Sequence, residues 1–196
     1  MEHVGMPDTI VLETERLLLK ELTPELMEYI FNSLDAPDGM SFLGMDTQES
    51  YDLEKRKWKE GITGFDLAYK GFNMILKSTK EVVGRIGYHT WKPSHRRSEI
   101  GYFINNDSHK QKGYMKEAMK PLLIYGFESM NLNRIEAFVS PLNVPSIKLI
   151  ERYGFTKEGL LRQHYGRNAM AEDSAVYGLL QSEYESIKHS WQALRK

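Results

Sequence analysis

The sequence predicts an α+β domain built on a mixed, mostly antiparallel sheet that holds one parallel pair of strands and is flanked by helices. Strand-like runs joined by short polar turns fill much of the first half, which favours antiparallel hairpins. In the second half a strongly periodic helix lies between two strands, a connection typical of parallel neighbours. The 196 residues, 41% hydrophobic and 27% charged, suffice for a folded core.

The first half begins with a predicted strand that leads into two helices. Its expected elements are a strand over 10–22, a helix over 24–34, a loop over 35–44 and a helix over 46–60. Thr23-Pro24 supplies an N-cap and a first-turn proline for the first helix. Pro37 and two glycines indicate the loop, and Asp46 with Glu49 has the spacing of a capping box for the second helix.

The second half alternates strands and helices. Its expected elements are strands over 65–77, 81–90 and 99–104, a helix over 112–130, a strand over 134–139, a helix over 144–153, strands over 155–162 and 171–180, and a helix from 182 to about 194. Ser78-Thr79-Lys80 indicates a hairpin connection, the pair Ser182 and Glu185 a helix cap, and the polar segment 164–173 a connector between the last two strands.

The helix over 112–130 is the strongest helical signal, because its apolar residues recur at steps of three and four. Pro121 lies inside it and removes one backbone donor, at a cost of about 3 kcal/mol unless a kink relieves it. No repeat or linker interrupts the chain, so we predict a single domain over 1–196, with its core at about 10–182 and a C-terminal helix over 183–195.

Composition excludes several classes of function. The chain has no cysteine, which excludes disulfides, thiolate metal sites and a cysteine nucleophile, and its six histidines lack metal-ligand spacing, so we expect no metal. A net charge of -1 gives no general attraction to nucleic acid or to anionic membranes. The first eight residues lack the apolar run of a secretory signal and no segment is apolar enough to span a bilayer, so we expect a cytoplasmic protein.

The most informative segment is a strand over 99–104 that leads through a polar connector and a glycine turn into the long helix. The first N–H groups of a helix lack intrahelical partners and carry partial positive charge, which suits a phosphate. Lys110, Lys112 and Lys116 add charge, and Gly113 permits close backbone approach. The alternative is an ordinary connector with solvated lysines. Neither the dinucleotide fingerprint nor the P-loop motif is present.

The order of this turn, its helix and the next strand, followed by Asn143-Val144-Pro145-Ser146 and Tyr153-Gly154-Phe155, resembles the GNAT superfamily of N-acetyltransferases. The resemblance covers about residues 12–180. The run Glu13-Thr14-Glu15-Arg16-Leu17-Leu18-Leu19, together with Gly113-Tyr114 and Glu117-Ala118, is similar to the branch that acetylates ribosomal-protein N-terminal alanine or serine. The GNAT fold, acetyl-CoA as acetyl donor and an amine as acceptor are what this resemblance implies.

The family's loop reads Arg/Gln-x-x-Gly-x-Gly/Ala, and its backbone amides hold the CoA diphosphate. Here Lys110 replaces the first residue and Met115 replaces the small one. The resemblance also implies that the two parallel strands splay apart and admit the pantetheine arm of CoA. The CoA-binding residues that it implies are Phe103, Ile104, Asn105, Gln111, Lys112, Gly113, Tyr114, Met115, Lys116, Asn143 and Ser146.

Acetyl transfer needs a base for the amine, close positioning, an oxyanion donor and departure of the thiolate. Several family members carry a catalytic glutamate where Glu99 stands, which implies that Glu99 is the base; the alternative is a structural ion pair with Arg96 or Arg97. The tyrosine that many members use as an acid is replaced by Ile150. Ser146 matches a serine that this branch places near the thioester sulfur, which implies that Ser146 donates to the thiol; the alternative is a first-turn helix hydroxyl without a catalytic part.

Tyr165 is a further candidate acid, because the segment around it can border the acceptor site in this family. The predicted function is acetylation of a protein N-terminal amine. Two alternatives stay open: acetylation of a small-molecule amine such as a polyamine, antibiotic or amino acid analogue, and a CoA-binding module without turnover. Neither nucleic acid nor membrane is an expected partner. A homodimer is an expectation, since dimers are frequent in this branch.

Overall fold

The computed structural model of the protein describes residues 6–60, 69–167 and 170–191. Its strands are β1 (Val11–Glu13), β2 (Leu17–Leu22), β3 (Lys70–Leu76), β4 (Val82–Lys92), β5 (Arg97–Ile104), β6 (Arg134–Val139), β7 (Thr156–Arg167) and β8 (Met170–Leu180). Its α-helices are α1 (Pro24–Ser33), α2 (Ala36–Leu43), α3 (Gln48–Lys59), α4 (Tyr114–Ile124), α5 (Val144–Arg152) and α6 (Gln181–Ile187).

The strands are hydrogen-bonded in the order β1-β2-β3-β4-β5-β6-β8-β7. Strands β5 and β6 are parallel, whereas β1–β2, β2–β3, β3–β4, β6–β8 and β7–β8 are antiparallel. The predicted fold class is therefore confirmed, down to a single parallel pair. The chain divides into a first unit, residues up to 89 with 101–122, and a second unit, residues 90–100 with 123 onward.

The core of the first unit includes an apolar cluster that the short helices α1, α2 and α3 build beside β2. The cluster consists of Leu22, Leu26, Met27, Ile30, Phe31, Leu43 and Tyr51. Thr23 caps α1 by accepting from the N–H of Leu26 at 3.2 Å, as predicted, and Pro24 occupies the first turn. Burial of these side chains supplies the main favourable energy for docking helices this short.

The predicted single strand over 10–22 is wrong, because it is an antiparallel pair in which Val11 lies opposite Lys20. The turn between β1 and β2 is held by Thr14, whose hydroxyl accepts from the N–H of Leu17 at 2.9 Å and whose backbone N–H donates to the Leu17 carbonyl at 2.9 Å. Such local bonds compete with an extended backbone. The loose alternation of apolar residues continues across the turn and hides it.

The predicted loop over 35–44 is also wrong, because its residues form α2. Asp35 caps this helix by accepting from the N–H of Asp38 at 2.9 Å, and Pro37 lies in its first turn. Gly44 ends it in a left-handed conformation, with φ of 65°. The residues that indicate a loop therefore delimit a short helix.

Two predicted capping boxes are wrong as well. Helix α3 is capped by Thr47 rather than by Asp46, and Thr47 accepts from the N–H of Ser50 at 3.2 Å. Helix α6 begins at Gln181, where the Glu183 carboxylate accepts from the N–H of Leu180 at 2.8 Å. Residues with capping-box spacing also lie close to the true caps. The predicted helix starts therefore differ from the observed ones by one or two residues. The expected end of the last helix near Leu194 lies outside the described residues.

The long helix predicted over 112–130 changes its winding after Pro121. Helix α4 ends at Ile124 and continues as a π-helix over Tyr125–Ser129, closed by the N–H of Met130 donating to the carbonyl of Tyr125 at 3.0 Å. Proline cannot donate to the preceding turn, and π-turns are one way in which a helix accommodates such a break. The hydrophobic period is nearly the same in both windings, so sequence cannot separate them.

The hairpin at Ser78-Thr79-Lys80 is confirmed by the antiparallel pairing of β3 with β4, and β6 has its predicted bounds. Phe65, the expected start of the strand over 65–77, lies outside the described residues. The predicted connector over 164–173 is wrong, because β7 extends to Arg167 and β8 starts at Met170. Tyr165 thus lies on a strand, in register with Glu172 of β8.

Candidate active site

The turn before α4 adopts the backbone geometry that an anion site requires. Gln111 and Gly113 have positive φ angles of 59° and 79°, and α4 starts at Tyr114. Its first intrahelical bond joins the N–H of Glu117 to the carbonyl of Gly113 at 3.0 Å. The N–H groups of Tyr114 and the two residues after it therefore precede any intrahelical acceptor and lie at the positive end of the helix dipole. This end of α4 suits a phosphate group.

Gly113 is needed for its backbone conformation more than for space. A Cβ atom at this position would come no closer than 3.5 Å to the guanidinium of Arg16, which is ordinary contact. A φ of 79° is nevertheless costly for residues with a side chain, and most costly for β-branched ones. Substitution therefore distorts the turn itself.

Glu117 anchors this turn to the residues that precede β2. Its carboxylate accepts from the Thr14 hydroxyl at 2.6 Å, from the Arg16 N–H at 2.7 Å and from Arg16 Nε at 2.6 Å. Burial raises the pKa of Glu117, but hydrogen bonds from Thr14 and Arg16 outweigh it and leave the pKa below its ordinary value. Glu117 thus acts as an ionised hub for three donors.

Arg16 extends this anchor into the turn. Its Nη1 donates to the carbonyl of Lys112 at 3.1 Å, and its guanidinium lies 4.8 Å from the ring centroid of Tyr114. The sequence reasoning quoted Arg16 and Glu117 as matches to a family pattern and missed their contact. The available signal was an acidic residue, Glu117, in the first turn of a helix, because a carboxylate held there against the turn needs a compensating cation.

The other expected CoA-binding residues of the first unit have varied surroundings. Phe103 is exposed and Ile104 is half-buried at the end of β5. The side-chain amide of Asn105 donates to the carbonyls of Gly44 at 2.8 Å and Val82 at 3.2 Å, so it ties the end of α2 to β4. Lys110 lies 2.5 Å from the carboxylate of Asp107, which offsets part of its charge.

In the second unit, Glu99 of β5 is the carboxyl with the most perturbed titration. Burial raises its pKa to about 7, the neighbouring Glu136 contributes to the increase, and a hydrogen bond with the Tyr165 hydroxyl opposes it. A carboxyl of this kind exchanges protons near neutral pH. The structure thus brings together Glu99 and Tyr165, two of the three expected catalytic residues.

Two arginines form ion pairs with Glu136 of β6. Arg97 Nη1 lies 3.0 Å and Arg134 Nε 2.9 Å from the Glu136 carboxylate. Arg96 instead donates to Asn131 and to Gln181. The sequence reasoning missed Glu136, and its only signal is the alternation of charged and apolar residues along β6.

An irregularity in β7 positions Tyr165. The register between β7 and β8 shifts between Leu161 and Tyr165, where Gln163 has a φ of 52° and donates its N–H to Asp173 at 2.8 Å. Within this irregular segment the ring of His164 packs against the ring of Tyr165, with centroids 4.4 Å apart. Bulges of this kind redirect side chains at functional sites.

The start of α5 holds the remaining predicted residues. Asn143 caps the helix by accepting from the N–H of Ser146 at 3.2 Å, and Ser146 is half-buried in the first turn. Tyr153 is buried against Trp191, and burial raises its pKa to about 12. That environment indicates a packing role for Tyr153.

Among residues 6–60, 69–167 and 170–191, no group of three or more His, Asp or Glu side chains could hold a metal ion. No described helix combines the length and the apolarity that crossing a bilayer requires.

Comparison with known proteins agrees with this geometry. Residues 16–156 match the family model of the acetyltransferase (GNAT) domain. The uncharacterized N-acetyltransferase p20 of Bacillus licheniformis is 36% identical over 177 residues, which cover 88% of this chain and 97% of that protein. The Bacillus subtilis (strain 168) protein named "Putative ribosomal N-acetyltransferase YdaF" is 35% identical over 105 residues, 54% of this chain and 57% of that protein.

A solved structure shares the fold. The spermidine/spermine N-acetyltransferase SpeG from Vibrio cholerae, crystallised in mutant forms, has a TM-score of 0.65 and 26% identity, covering 87% of this chain and 98% of that one. GNAT acetyltransferases use acetyl-CoA and act on amines. The family match over most of the chain and the named relatives lead to one conclusion: this chain belongs to the GNAT acetyltransferase family and is an N-acetyltransferase.

Proposed function

We propose that this enzyme transfers the acetyl group of acetyl-CoA to the N-terminal amine of a protein, with Glu99 as the base. The observation that carries the proposal is the Glu99 carboxyl with a pKa of about 7, hydrogen-bonded to Tyr165. An N-terminal amine has a pKa of about 8, so a base near 7 is closely matched to it. The similarity to the Bacillus subtilis (strain 168) protein named "Putative ribosomal N-acetyltransferase YdaF" supports a ribosomal acceptor.

The turn before α4 fits the diphosphate of acetyl-CoA. Left-handed residues at Gln111 and Gly113 lead into the first turn of α4, and Lys112 and Lys116 add positive charge. We assign diphosphate binding to the backbone N–H groups from Gly113 to Lys116, contacts that do not depend on the side chain of Met115. Phe103, Ile104, Asn105 and Asn143 remain the candidates for contacts to pantetheine, as the family resemblance implies.

Glu99 performs the proton transfer in this proposal. Above pH 7 its carboxylate accepts a proton from the acceptor's ammonium group, either directly or through one water molecule. The neutral amine nitrogen then forms a bond to the acetyl carbon while the bond from that carbon to sulfur breaks. The extra proton that remains on this nitrogen passes to the departing thiolate, so the products are the amide and the CoA thiol, and Glu99 releases its proton to solvent. The Ser146 hydroxyl donates a hydrogen bond to the departing sulfur. A thiol has a pKa of about 8.5, so its departure needs little further acid, and Tyr165 serves in reserve.

A polyamine is the second candidate acceptor, and the similarity in fold and sequence to the spermidine/spermine enzyme favours it. Aliphatic amines of this type resemble the lysine side chain, whose pKa is about 10.4, so they hold their proton more tightly than an N-terminus does. A base with a pKa of about 7 is less well matched to them. We therefore rank the protein N-terminus first.

A matched set of acceptors tests the proposal. Thiol release from acetyl-CoA is measured with peptides that begin with alanine or serine, with the same peptides blocked at the N-terminus but containing lysine, and with spermidine. We expect turnover only with the free N-termini, and mass spectrometry should place the acetyl group on the first residue. Turnover with spermidine alone would establish the second candidate. CoA binding with no turnover on any amine would contradict both.

A further inference from the structure

Four charged residues form a square on one face of the parallel pair. Arg97 lies in register with Arg134, and Glu99 lies in register with Glu136. Side chains two residues apart on a strand share a face, and register partners on neighbouring strands lie side by side. The two arginines are therefore neighbours, and so are the two glutamates.

The contacts in this square are unequal. Both arginines contact Glu136, at 3.0 Å from Arg97 and 2.9 Å from Arg134. Arg134 also makes a fork-like contact with Glu158 of β7, in which Nη1 donates to Oε1 at 2.7 Å and Nη2 contacts Oε2. Glu136 is thus fixed by two guanidinium groups beside Glu99.

A glycine on β8 makes room for the arginine. Gly178 lies in register with Glu136, and a Cβ atom there would come within 2.6 Å of Glu158 Oε1 and 2.7 Å of Arg134 Nη1. Any other residue would displace these side chains, so the backbone of β8 accommodates the Arg134–Glu158 pair directly over it. This arrangement is a built feature of three neighbouring strands.

We propose that Glu136 is a positioning residue for Glu99: held between Arg97 and Arg134, it places a fixed negative charge beside the base and so sets the pH range in which Glu99 accepts a proton. The proposal rests on the proposed role of Glu99 as base. A fixed carboxylate beside a second carboxyl favours the protonated form of that second group. Glu136 contributes in this way without itself contacting the substrate.

Other charged and titratable groups lie on the strands around Glu99. Arg97 on β5 and Arg134 on β6 contact the neighbouring Glu136, and Tyr165 on β7 donates a hydrogen bond to Glu99. The ring of His164 packs against Tyr165. Burial raises the pKa of Glu99 more than Glu136 does, and both oppose ionisation of its carboxyl.

The test measures the Glu99 carboxyl in the free protein, without substrate. Glutamate labelled with carbon-13 at the side-chain carboxyl is followed by NMR from pH 5 to 9, and Glu99→Gln assigns the resonance by its loss. We expect a wild-type midpoint of about 7. In Glu136→Gln the midpoint should fall by about one pH unit, because a negative neighbour is removed and Arg97 becomes free to face Glu99.

Two variants control for general disturbance of the sheet. Arg97→Gln removes positive charge and should move the midpoint upward, opposite to Glu136→Gln. Glu158→Gln alters the same ion network, but Glu158 is connected to Glu136 only through Arg134. This variant should therefore shift the midpoint less than Glu136→Gln does. The proposal predicts a lower Glu99 midpoint in Glu136→Gln than in Glu158→Gln. Equal midpoints in the two variants, or a higher one in Glu136→Gln, would overturn it.

The same samples separate this inference from the proposed function. The expected result is that the pH at which kcat/KM falls to half on the acid side follows the NMR midpoint in each variant. If the NMR midpoints shift as expected but Glu99→Gln retains full activity, then the coupling between Glu136 and Glu99 is real and the role of Glu99 as base is wrong.

Discussion

The pKa of the Glu99 carboxyl lies near neutral because burial and two neighbouring side chains act on it. Burial makes the largest contribution to its raised pKa, Glu136 raises it further, and the hydrogen bond from Tyr165 lowers it, which leaves a value of about 7. More than half of such a group is ionised at pH 7.5, where an N-terminal amine is still largely protonated. This balance makes the residue useful as a base.

Replacing Tyr165 with phenylalanine tests one part of this balance. The hydrogen bond from Tyr165 lowers the pKa of Glu99, so its loss should raise that pKa and move the acid limb of kcat/KM upward by about half a pH unit. At pH 7 the rate should fall about twofold, with less effect at pH 8.5. Tyr29→Phe on α1 is the control, and an equal loss at every pH would contradict this role.

At the scale of the element, the turn and the first part of α4 are held by a network that reaches back to the residues before β2. Glu117, on α4, accepts three hydrogen bonds from Thr14 and Arg16, and Arg16 also contacts the carbonyl of Lys112. A phosphate site made of backbone N–H groups binds well only if the backbone is already in place. The network supplies that order.

Glu117→Gln should therefore weaken CoA binding without direct contact to CoA. The neutral amide accepts less strongly from Arg16, and we expect the CoA dissociation constant to rise about five- to tenfold, equivalent to about 1–1.5 kcal/mol. Isothermal titration calorimetry measures the change. Glu49→Gln, at an exposed position of α3, provides the control. An unchanged CoA dissociation constant in Glu117→Gln would show that the turn keeps its shape without this anchor.

Gly113→Val should weaken CoA binding more strongly, because a β-branched residue disfavours the left-handed conformation at this position. We expect the dissociation constant to rise at least tenfold, equivalent to about 1.4 kcal/mol or more. The same calorimetric titration measures it. Asparagine tolerates positive φ better than valine does, so the CoA dissociation constant of Gly113→Asn should lie between those of wild type and Gly113→Val. Equal dissociation constants for all three proteins would show that this turn does not bind the CoA diphosphate.

Helix α2 depends on a buried polar network. Asn73 donates to the carbonyl of Phe42 at 2.8 Å and accepts from Arg85 Nε at 3.0 Å, while Arg85 Nη2 donates to the carbonyl of Leu43 at 3.1 Å. Burial lowers the pKa of Arg85, as expected for a cation removed from water. The network satisfies carbonyl groups at the end of α2 that the helix leaves unpaired.

Asn73→Ala removes one member of this network and leaves buried polar groups without partners. We expect the free energy of unfolding to fall by about 2–3 kcal/mol, measured by urea denaturation. Asn32→Ala, which removes an exposed side-chain hydrogen bond to Glu28 on α1, should cost less than about 0.5 kcal/mol. Similar losses in the two variants would contradict the importance of burial here.

The elements that sequence predicts well are those with a strong period. The apolar repeat of α4 and the alternation along β6 locate both within a few residues. Helix α2 escapes prediction because Asp35, Pro37 and Gly44 are equally typical of loops and of helix ends. The π-helix after α4 escapes because its winding hardly changes the apolar period.

At the scale of the whole molecule, the candidate residues divide between the two units. The turn and its anchor, Arg16 and Glu117, belong to the first unit, while Glu99, Glu136, Tyr165 and Ser146 belong to the second. The turn is predictable because its residues are consecutive in the chain. The surroundings of Glu99 are not, because they depend on pairing between strands that are far apart in sequence, such as β5 with β6.

This division predicts that cofactor binding and proton transfer can be altered separately. Variants of Gly113 and Glu117 should raise the KM for acetyl-CoA and leave kcat at saturation largely unchanged. Variants of Glu99 should lower kcat and leave the CoA dissociation constant unchanged.

The rate of acetyl transfer by Glu99→Gln at pH 7.5, with a peptide N-terminus as acceptor, tests the central claim most directly. The amide retains the shape of the side chain but cannot accept the proton, so the account predicts a loss of about 100-fold or more in kcat with CoA bound as tightly as by wild type. A variant that turns over at the wild-type rate, or one that loses activity only because CoA no longer binds, would contradict it.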